Sequence, residues 1–429
     1  MKKRIALFLL FTALVGIQSG TRPVAAAEPP SPGQPSEDVI LQWNRVLTET
    51  LAISGQQPAT IVGARSYAMM HGAMFDAVNS IDGSYAPYLV EMPGTKHASI
   101  DAAAATAAHD ILVALYPGRT SVFATELQAS LEGVPANRVL QGVRVGRRAA
   151  IAMIAERAND GWTIPPHPYT LSTAPGNWQP TPPAFAAAAF THYPNVRPFA
   201  LASAYQFLPP APPALSSPEY AAALNEVKAI GSAGSVTRTA DQTEAALAWA
   251  SVGNPSGVAV IWNNIARSLA RSQGTTTVEN ARLFAMLNMS HHDAFQTSFA
   301  SKFHYGLWRP VTAIQRADED GNPATTPDPT WSPRIGTPPY PTYAGNMAAI
   351  ATANTSILAL FFGGDDLAVQ YTFPNGSTRS WTSLSGLADE AARSREYGGI
   401  HFRFDSVAGQ SIGLNTGNYI FTNFMSPRR

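Results

Sequence analysis

The chain has no cysteine. Disulfides, thiolate metal ligands, a cysteine nucleophile and a lipidated-cysteine anchor are therefore all excluded. Charge is scarce too: Asp, Glu, Lys and Arg make up 14% of 429 residues, with 29 of each sign and a formal net charge of zero. Such a balance exerts no bulk pull on nucleic acid or anionic membrane, so any anion site must be local. Past the N-terminus there is no uninterrupted apolar run of about 18 residues, which a spanning helix needs. Phosphate-cradling glycine loops, a Ser-His-Asp elbow and a dinucleotide fingerprint are also missing. Asp293, Asp365 and Asp366 make no recognisable metal-ligand spacing.

What is present is apolar and globular. Hydrophobic residues form 45% of the chain, enough for one large domain or two to three average ones. Lys2, Lys3 and Arg4 precede the mostly apolar run Ile5 to Ile17, and Ala25-Ala26-Ala27 follows. That order is expected of a signal peptide over residues 1–27, exporting the chain to the periplasm or outside the cell. Residues 28–36 are a Pro-rich linker.

From residue 37 onward, apolar residues recur at helical spacing. Helices are expected at 37–52, 59–81, 99–116, 121–131, 136–158, 218–230, 240–250, 258–271, 278–307, 346–362, 384–395 and within 400–424. The segment around Asn375-Gly376 reads as a β-hairpin. Residues 161–218 are too rich in proline for long helices. They are expected to form either a covering whose Trp162, Trp178, Phe185 and Tyr193 line an entrance or a linker between two helical halves. Gly409, Gly413 and Gly417 repeat at four-residue spacing, which suits close helix packing. His71, on an apolar face, reads as a core histidine. His109 and Asp110 are adjacent, and adjacent helical residues do not face one another, so no dyad is expected there.

Two cationic clusters stand out. Lys302 and Arg309 are seven residues apart, two turns or about 10 Å on one helix. Pro310 biases Arg309 out of helical geometry, to the helix end. The pair reads either as an oxyanion clamp or as a solvated basic face. In Ser394-Arg395-Glu396-Tyr397-Gly398-Gly399-Ile400-His401, a glycine pair turns the chain between two helices. A histidine at such a helix start can sit beside an anion; a capped helix junction is the plainer alternative.

Together, Lys302, Arg309-Pro310, Ser394-Arg395, Gly399 and His401 resemble the vanadium-dependent haloperoxidases, which share fold and site with type 2 phosphatidic acid phosphatases and bacterial class A acid phosphatases. The segments WRPVTAI, GGIHFRFD, NWQPTPPAF, VRPFAL and AMMHGAMFDAVNSI extend the likeness over nearly the whole chain after residue 27. The resemblance implies a mainly α helical-bundle fold with long Pro-rich loops and one small hairpin. It implies a single domain over 37–429, with its catalytic half at about 240–425. It further implies vanadate held axially by His401, with phosphate as the alternative oxyanion. Lys302, Arg309, Arg395 and the N–H groups of Gly345 and Asn346 would then meet its oxygens, with Lys302 and His401 catalytic. Hydrogen peroxide, a halide and a small organic molecule would be the substrates. No nucleic acid and no stable membrane span are expected, and a homodimer is in keeping with such relatives. A phosphatase with His401 as nucleophile, and an anion-binding protein without turnover, are the alternatives.

One motif departs from the pattern. Where the family opens a helix with Pro-Ser-Gly-His, this chain has Ala344-Gly345-Asn346-Met347. Gly345 stands at the serine, Asn346 at the glycine and Met347 at the histidine. A thioether has no proton to transfer, so the family's general acid has no counterpart at Met347.

Overall fold

The computed structural model describes residues 37–53, 60–93, 95–252 and 257–428. The expected signal peptide and linker, residues 1–36, lie outside them. The described residues form α1 (Val39–Leu51), α2 (Thr60–Asp82), α3 (Ile100–Leu115), α4 (Thr120–Leu131), α5 (Ala136–Arg157), α6 (Pro218–Ile230), α7 (Ala240–Ser251) and α8 (Ala259–Gln273). The later part adds α9 (Thr277–Tyr305), α10 (Pro310–Gln315), α11 (Asn346–Phe362), α12 (Leu384–Tyr397) and α13 (Arg403–Asn423). A single antiparallel hairpin, β1 (Val369–Thr372) with β2 (Thr378–Trp381), pairs Val369 with Trp381 and Thr372 with Thr378. The fold is mainly helical, as the resemblance implied. Among the described residues no helix is long and apolar enough to cross a membrane.

Helix α9 is the axis of the molecule. Every residue from Asn280 to Lys302 is buried. Its start is set by Thr276, which accepts from Glu279 N while Glu279 accepts from Thr276 N, a reciprocal capping box. A helix buried on all sides cannot be amphipathic, so its polar side chains must find partners. Asn288 and Asn263 on α8 bond one another, and Asn263 accepts from Asn44 on α1, which reaches His71 Nε2 on α2 at 2.8 Å. His71 is thus a core histidine, as its apolar face suggested.

Small residues bring helices into contact on either side of this axis. An added Cβ at Gly146 of α5 would lie 2.2 Å from Ala103 O of α3, and one at Gly409 of α13 would lie 2.3 Å from Gly345 O. Gly413 would meet Ala349 O at 2.4 Å in the same way. The four-residue glycine spacing is therefore the seam along which α13 lies against α11. Both α2 and α9 also hold a loop through one carboxylate. Asp76 accepts from the N–H groups of Tyr88, Leu89 and Val90, and Asp293 from those of Phe199, Ala200 and Leu201. A second core cluster, with Tyr220, Trp308, Val311, Phe402 and Ile412, lies beneath the α9–α10 turn. Truncating the fully buried Trp308 to alanine would cost about 3–5 kcal/mol.

Three local expectations are corrected. Lys302 and Arg309 do not share one helix: α9 stops at Tyr305, Gly306 adopts a left-handed φ of 62°, and Arg309 caps the separate helix α10. His109 Nδ1 does reach Asp110 Oδ1, at 2.8 Å, on a partly exposed stretch of α3. Trp178 and Tyr193 are buried core residues, while Phe185 is 63% exposed, so these aromatics do not line a common entrance.

Candidate functional site

The left-handed turn at Gly306 redirects the chain after Lys302. A Cβ there would sit 2.6 Å from Leu171 Cδ1 in addition to the unfavourable φ, so glycine suits the position doubly. Leu307 O then accepts from Thr342 N and Gly176 O from Trp308 N, which ties the turn to two distant loops. Pro310 opens α10 at its first position, where no N–H is needed. Arg309 is thereby folded back into the protein. Its Nε donates to Tyr340 O and its Nη1 to Ile400 O, each at 2.8 Å.

Lys302 is fully buried, and its Nζ donates to Thr342 O and Ala344 O, each at 2.6 Å. An ammonium has three N–H groups, so one is left over. Burial, reinforced by the neighbouring Arg309, holds its pKa well below the usual lysine value, with Asp405 opposing.

His401 is positioned by the turn after α12. Gly398 N bonds Ser394 O, Gly399 N bonds Glu396 O and Ile400 N bonds Arg395 O. Gly399 takes φ 79°, and a Cβ there would lie 2.3 Å from Gly231 O. The imidazole is buried. Its Nδ1 is 2.8 Å from Asp405 Oδ2 and 3.1 Å from Thr342 Oγ1, and its Nε2 is 3.2 Å from Arg309 Nη1. A carboxylate accepts and a guanidinium donates, so Nδ1 carries the hydrogen and Nε2 the lone pair. Burial, then Arg309, Lys302 and Arg395, push the His401 pKa well below 6.5, so the ring is neutral. Asp405 Oδ2 also accepts from the Thr342 hydroxyl and from Phe402 N at the start of α13. Burial raises its pKa to about 6 against those donors and the nearby cations.

Several donors around this histidine have nothing to bond. Arg309 Nη2, Arg395 Nη1 and Asn346 Nδ2 are buried without a hydrogen-bond partner among the described residues. Burial lowers both guanidinium groups to about 10, so both remain charged at neutral pH. Buried charged donors without an acceptor are costly. An oxyanion beside His401 Nε2 would satisfy them, so the donor set fits vanadate or phosphate.

Three comparisons bear on this arrangement. Residues 282–428 match the family described as the VCPO second helical-bundle domain. The vanadium chloroperoxidase of Curvularia inaequalis is 26% identical over 263 residues, 46% of this chain. The chain spans 42% of that fungal protein's length. A bacterial vanadium-dependent iodoperoxidase structure superposes with a TM-score of 0.75 over 91% of this chain and 97% of that one, at 24% identity. The holo form of a bacterial vanadium-dependent chloroperoxidase gives 0.68 over 89% and 96%, at 17% identity. The chain is vanadium haloperoxidase-like.

Within this haloperoxidase-like chain, the expected Lys302, Arg309 and His401 converge through shared partners: the 340–344 segment, Ile400 and Asp405. Arg395 faces the same point, with the Tyr340 phenol and the Arg309 guanidinium as its neighbours. Gly345 differs from its expected part, because its N–H is committed to Asp405 O at 2.8 Å. Asn346 opens α11, whose first-turn N–H groups have no intrahelical acceptors. Met347 is packed into the main hydrophobic core. His291 and His292 are taken up by Asn354 and Asp293, and His304 is exposed. Sequence reasoning missed Tyr340, Thr342 and Asp405 as site residues. Asp405 did leave a signal, since an acid four residues after His401 and three into a helix start is placed to cap it. Thr342 and Tyr340 left none, because their partners lie 31 to 63 positions away.

Proposed function

We propose that the chain is a vanadium haloperoxidase-type enzyme that seats vanadate at His401 Nε2. The observation that carries this reading is the pair of buried, partnerless guanidinium N–H groups, Arg309 Nη2 and Arg395 Nη1, beside a neutral histidine lone pair. Vanadate, when bound, supplies a centre that activates hydrogen peroxide towards halide. The protein's part is to hold and balance charge. Asp405 and Thr342 fix the imidazole with its Nε2 lone pair turned to Arg309 Nη1, which gives up that contact when an oxyanion takes the lone pair. Arg309 and Arg395 neutralise oxyanion charge, and Lys302 offers its remaining N–H. The halide and a small organic acceptor complete the substrates. Export, guided by residues 1–27, and assembly as a homodimer belong to the same proposal.

Met347 favours this reading over the phosphatase alternative. An alkyl phosphate needs its leaving oxygen protonated, worth about 10²–10⁴ in rate, and a thioether cannot do that. The same residue also supports a second reading, an anion-binding protein without turnover. The test uses purified protein with orthovanadate, peroxide and bromide or iodide at mildly acidic pH, scored by halogenation of a phenol dye. The expected result is vanadate-dependent halogenation that is lost in His401→Ala. Folded protein that binds vanadate and halogenates nothing would select the second reading, and alkyl phosphate hydrolysis would select the phosphatase.

A further inference from the structure

The motif that opens α11 lacks the serine hydroxyl and the histidine that the family pattern supplies, yet two other proton-bearing side chains stand at that wall. Asn346, the first residue of α11, is only 8% exposed. Ser298 Oγ on α9 donates to its Oδ1 at 2.8 Å, which fixes the plane of the amide. Its Nδ2 is buried, lies against the Tyr340 hydroxyl and has no other acceptor among the described residues; an amide nitrogen carries two hydrogens, so one N–H stays unpartnered. The unpartnered N–H thus sits at the positive end of a 17-residue helix, among the same cations that surround His401.

Tyr340 is the second group. Its carbonyl anchors Arg309, and its ring stacks edge-on against Phe299 with centroids 5.1 Å apart. The ring centroid lies 5.1 Å from Arg309 Cζ and 5.5 Å from Lys302 Nζ. Its hydroxyl is close enough to Arg309, Arg395 and Asn346 for all three to favour the ionised form against burial. Burial outweighs these three neighbours and keeps the phenol protonated, so the hydroxyl has a hydrogen to donate.

We propose that the Asn346 carboxamide N–H and the Tyr340 hydroxyl donate to the bound oxyanion, taking over the wall that serine and histidine form in the family pattern. The proposal rests on the anion-binding reading above and adds which side chains complete the donor shell. The ligand class is a compact oxyanion, vanadate or phosphate. Asn346 contributes a neutral hydrogen bond, and Tyr340 contributes one that carries an exchangeable proton.

The test is calorimetric titration of the full-length purified protein with inorganic phosphate and, in parallel, with orthovanadate. Asn346→Asp is nearly isosteric but replaces the donor with a negative acceptor; it is expected to weaken binding by more than Asn346→Ala. Asn346→Ala and Tyr340→Phe are each expected to weaken it about five-fold, the value of one neutral hydrogen bond. Thermal melts of each variant separate loss of a donor from loss of the fold, and Asn346→Ala keeps the test open should Asn346→Asp not fold. If wild-type protein binds either anion and all three variants bind as tightly, this proposal is overturned while the anion site stands. If wild-type protein binds neither anion, or His401→Ala and Arg395→Ala bind as well as wild type, the anion site itself falls. A loss seen with vanadate but not with phosphate assigns these donors to vanadate.

Discussion

His401 Nδ1 lies 2.8 Å from Asp405 Oδ2, and the same carboxylate oxygen receives the Thr342 hydroxyl and Phe402 N–H. One oxygen thus orients the imidazole, caps α13 and ties in the loop that carries the Lys302 acceptors. Asp405→Asn keeps the shape but removes the charge that favours Nδ1–H. Its binding of phosphate or vanadate is expected to fall about 10- to 100-fold, the usual effect of removing a partner behind a ligating histidine. Calorimetry on folded protein checks this, and unchanged affinity would remove Asp405 from the site.

The α11–α13 seam makes a stability prediction that also reaches the site. A methyl at Gly409 would press on Gly345 O, and one at Gly413 on Ala349 O, both backbone atoms that cannot swing aside. Gly409→Ala and Gly413→Ala are each expected to destabilise by about 1–3 kcal/mol through overpacking. Gly364, with nothing within 4 Å of its added Cβ, is the control and should change little as Gly364→Ala. Urea unfolding gives the comparison. Gly409→Ala should also weaken anion binding, because Gly345 precedes Asn346.

Acid should unfold the protein through its buried histidines. Burial lowers His71 and His291 to about 3 from 6.5. The unfolded chain therefore takes up protons that the folded one refuses. This stabilisation is complete above pH 6.5 and is lost as pH falls from 6.5 towards 3. At pH 5 each histidine should already account for about 2 kcal/mol of lost stability. Asp76, Asp405 and Glu396, whose pKa values burial raises, act in the opposite direction in both proteins, so the check is the difference. Between pH 7.5 and 5, denaturant titrations should show His71→Gln losing about 2 kcal/mol less than wild type. A His71→Gln protein that loses as much between these pH values as wild type would contradict it.

Rebuilding the helix-opening motif tests what Met347 removed. A Cβ at Gly345 would come within 3.1 Å of Asp405 O, so Gly345→Ser needs a small backbone shift. It should cost about 1 kcal/mol. The triple change Gly345→Ser, Asn346→Gly and Met347→His is expected to raise halogenation at least about ten-fold, the lower part of what a general acid contributes. Absence of any gain in a folded, vanadate-binding triple variant would mean that the missing acid is not what limits the site.

Much of this arrangement was legible in one dimension. The expected bounds of α6 and α11 coincide with those observed, and most of the other helices agree to within two or three residues. Their ends are written locally, by Ser217 before Pro218, by Thr276 with Glu279, and by the left-handed Gly274 and Gly363. Lys302, Arg309, Arg395 and His401 were recognisable together because their spacing is itself a pattern. Within a helix, hydrogen bonding and side-chain periodicity involve residues at most four apart, and a sequence window contains all of them.

What tertiary structure alone decided involves longer reach. Gly306 broke the helix that was to have carried both cations; its left-handed cap is a local device, and what the fold added is Leu171, 135 positions away, which leaves no room for a Cβ there. Thr342 became the partner of Asp405, Asp293 the clamp for residues 199–201, and the N–H of Gly345 was spent on Asp405 O. The sequence by itself therefore determined the helices, the cationic pair of motifs and the absence of the family's acid at Met347. Only the packed chain decided which donors remain without partners beside His401, because an orphaned N–H is defined by every group that fails to reach it.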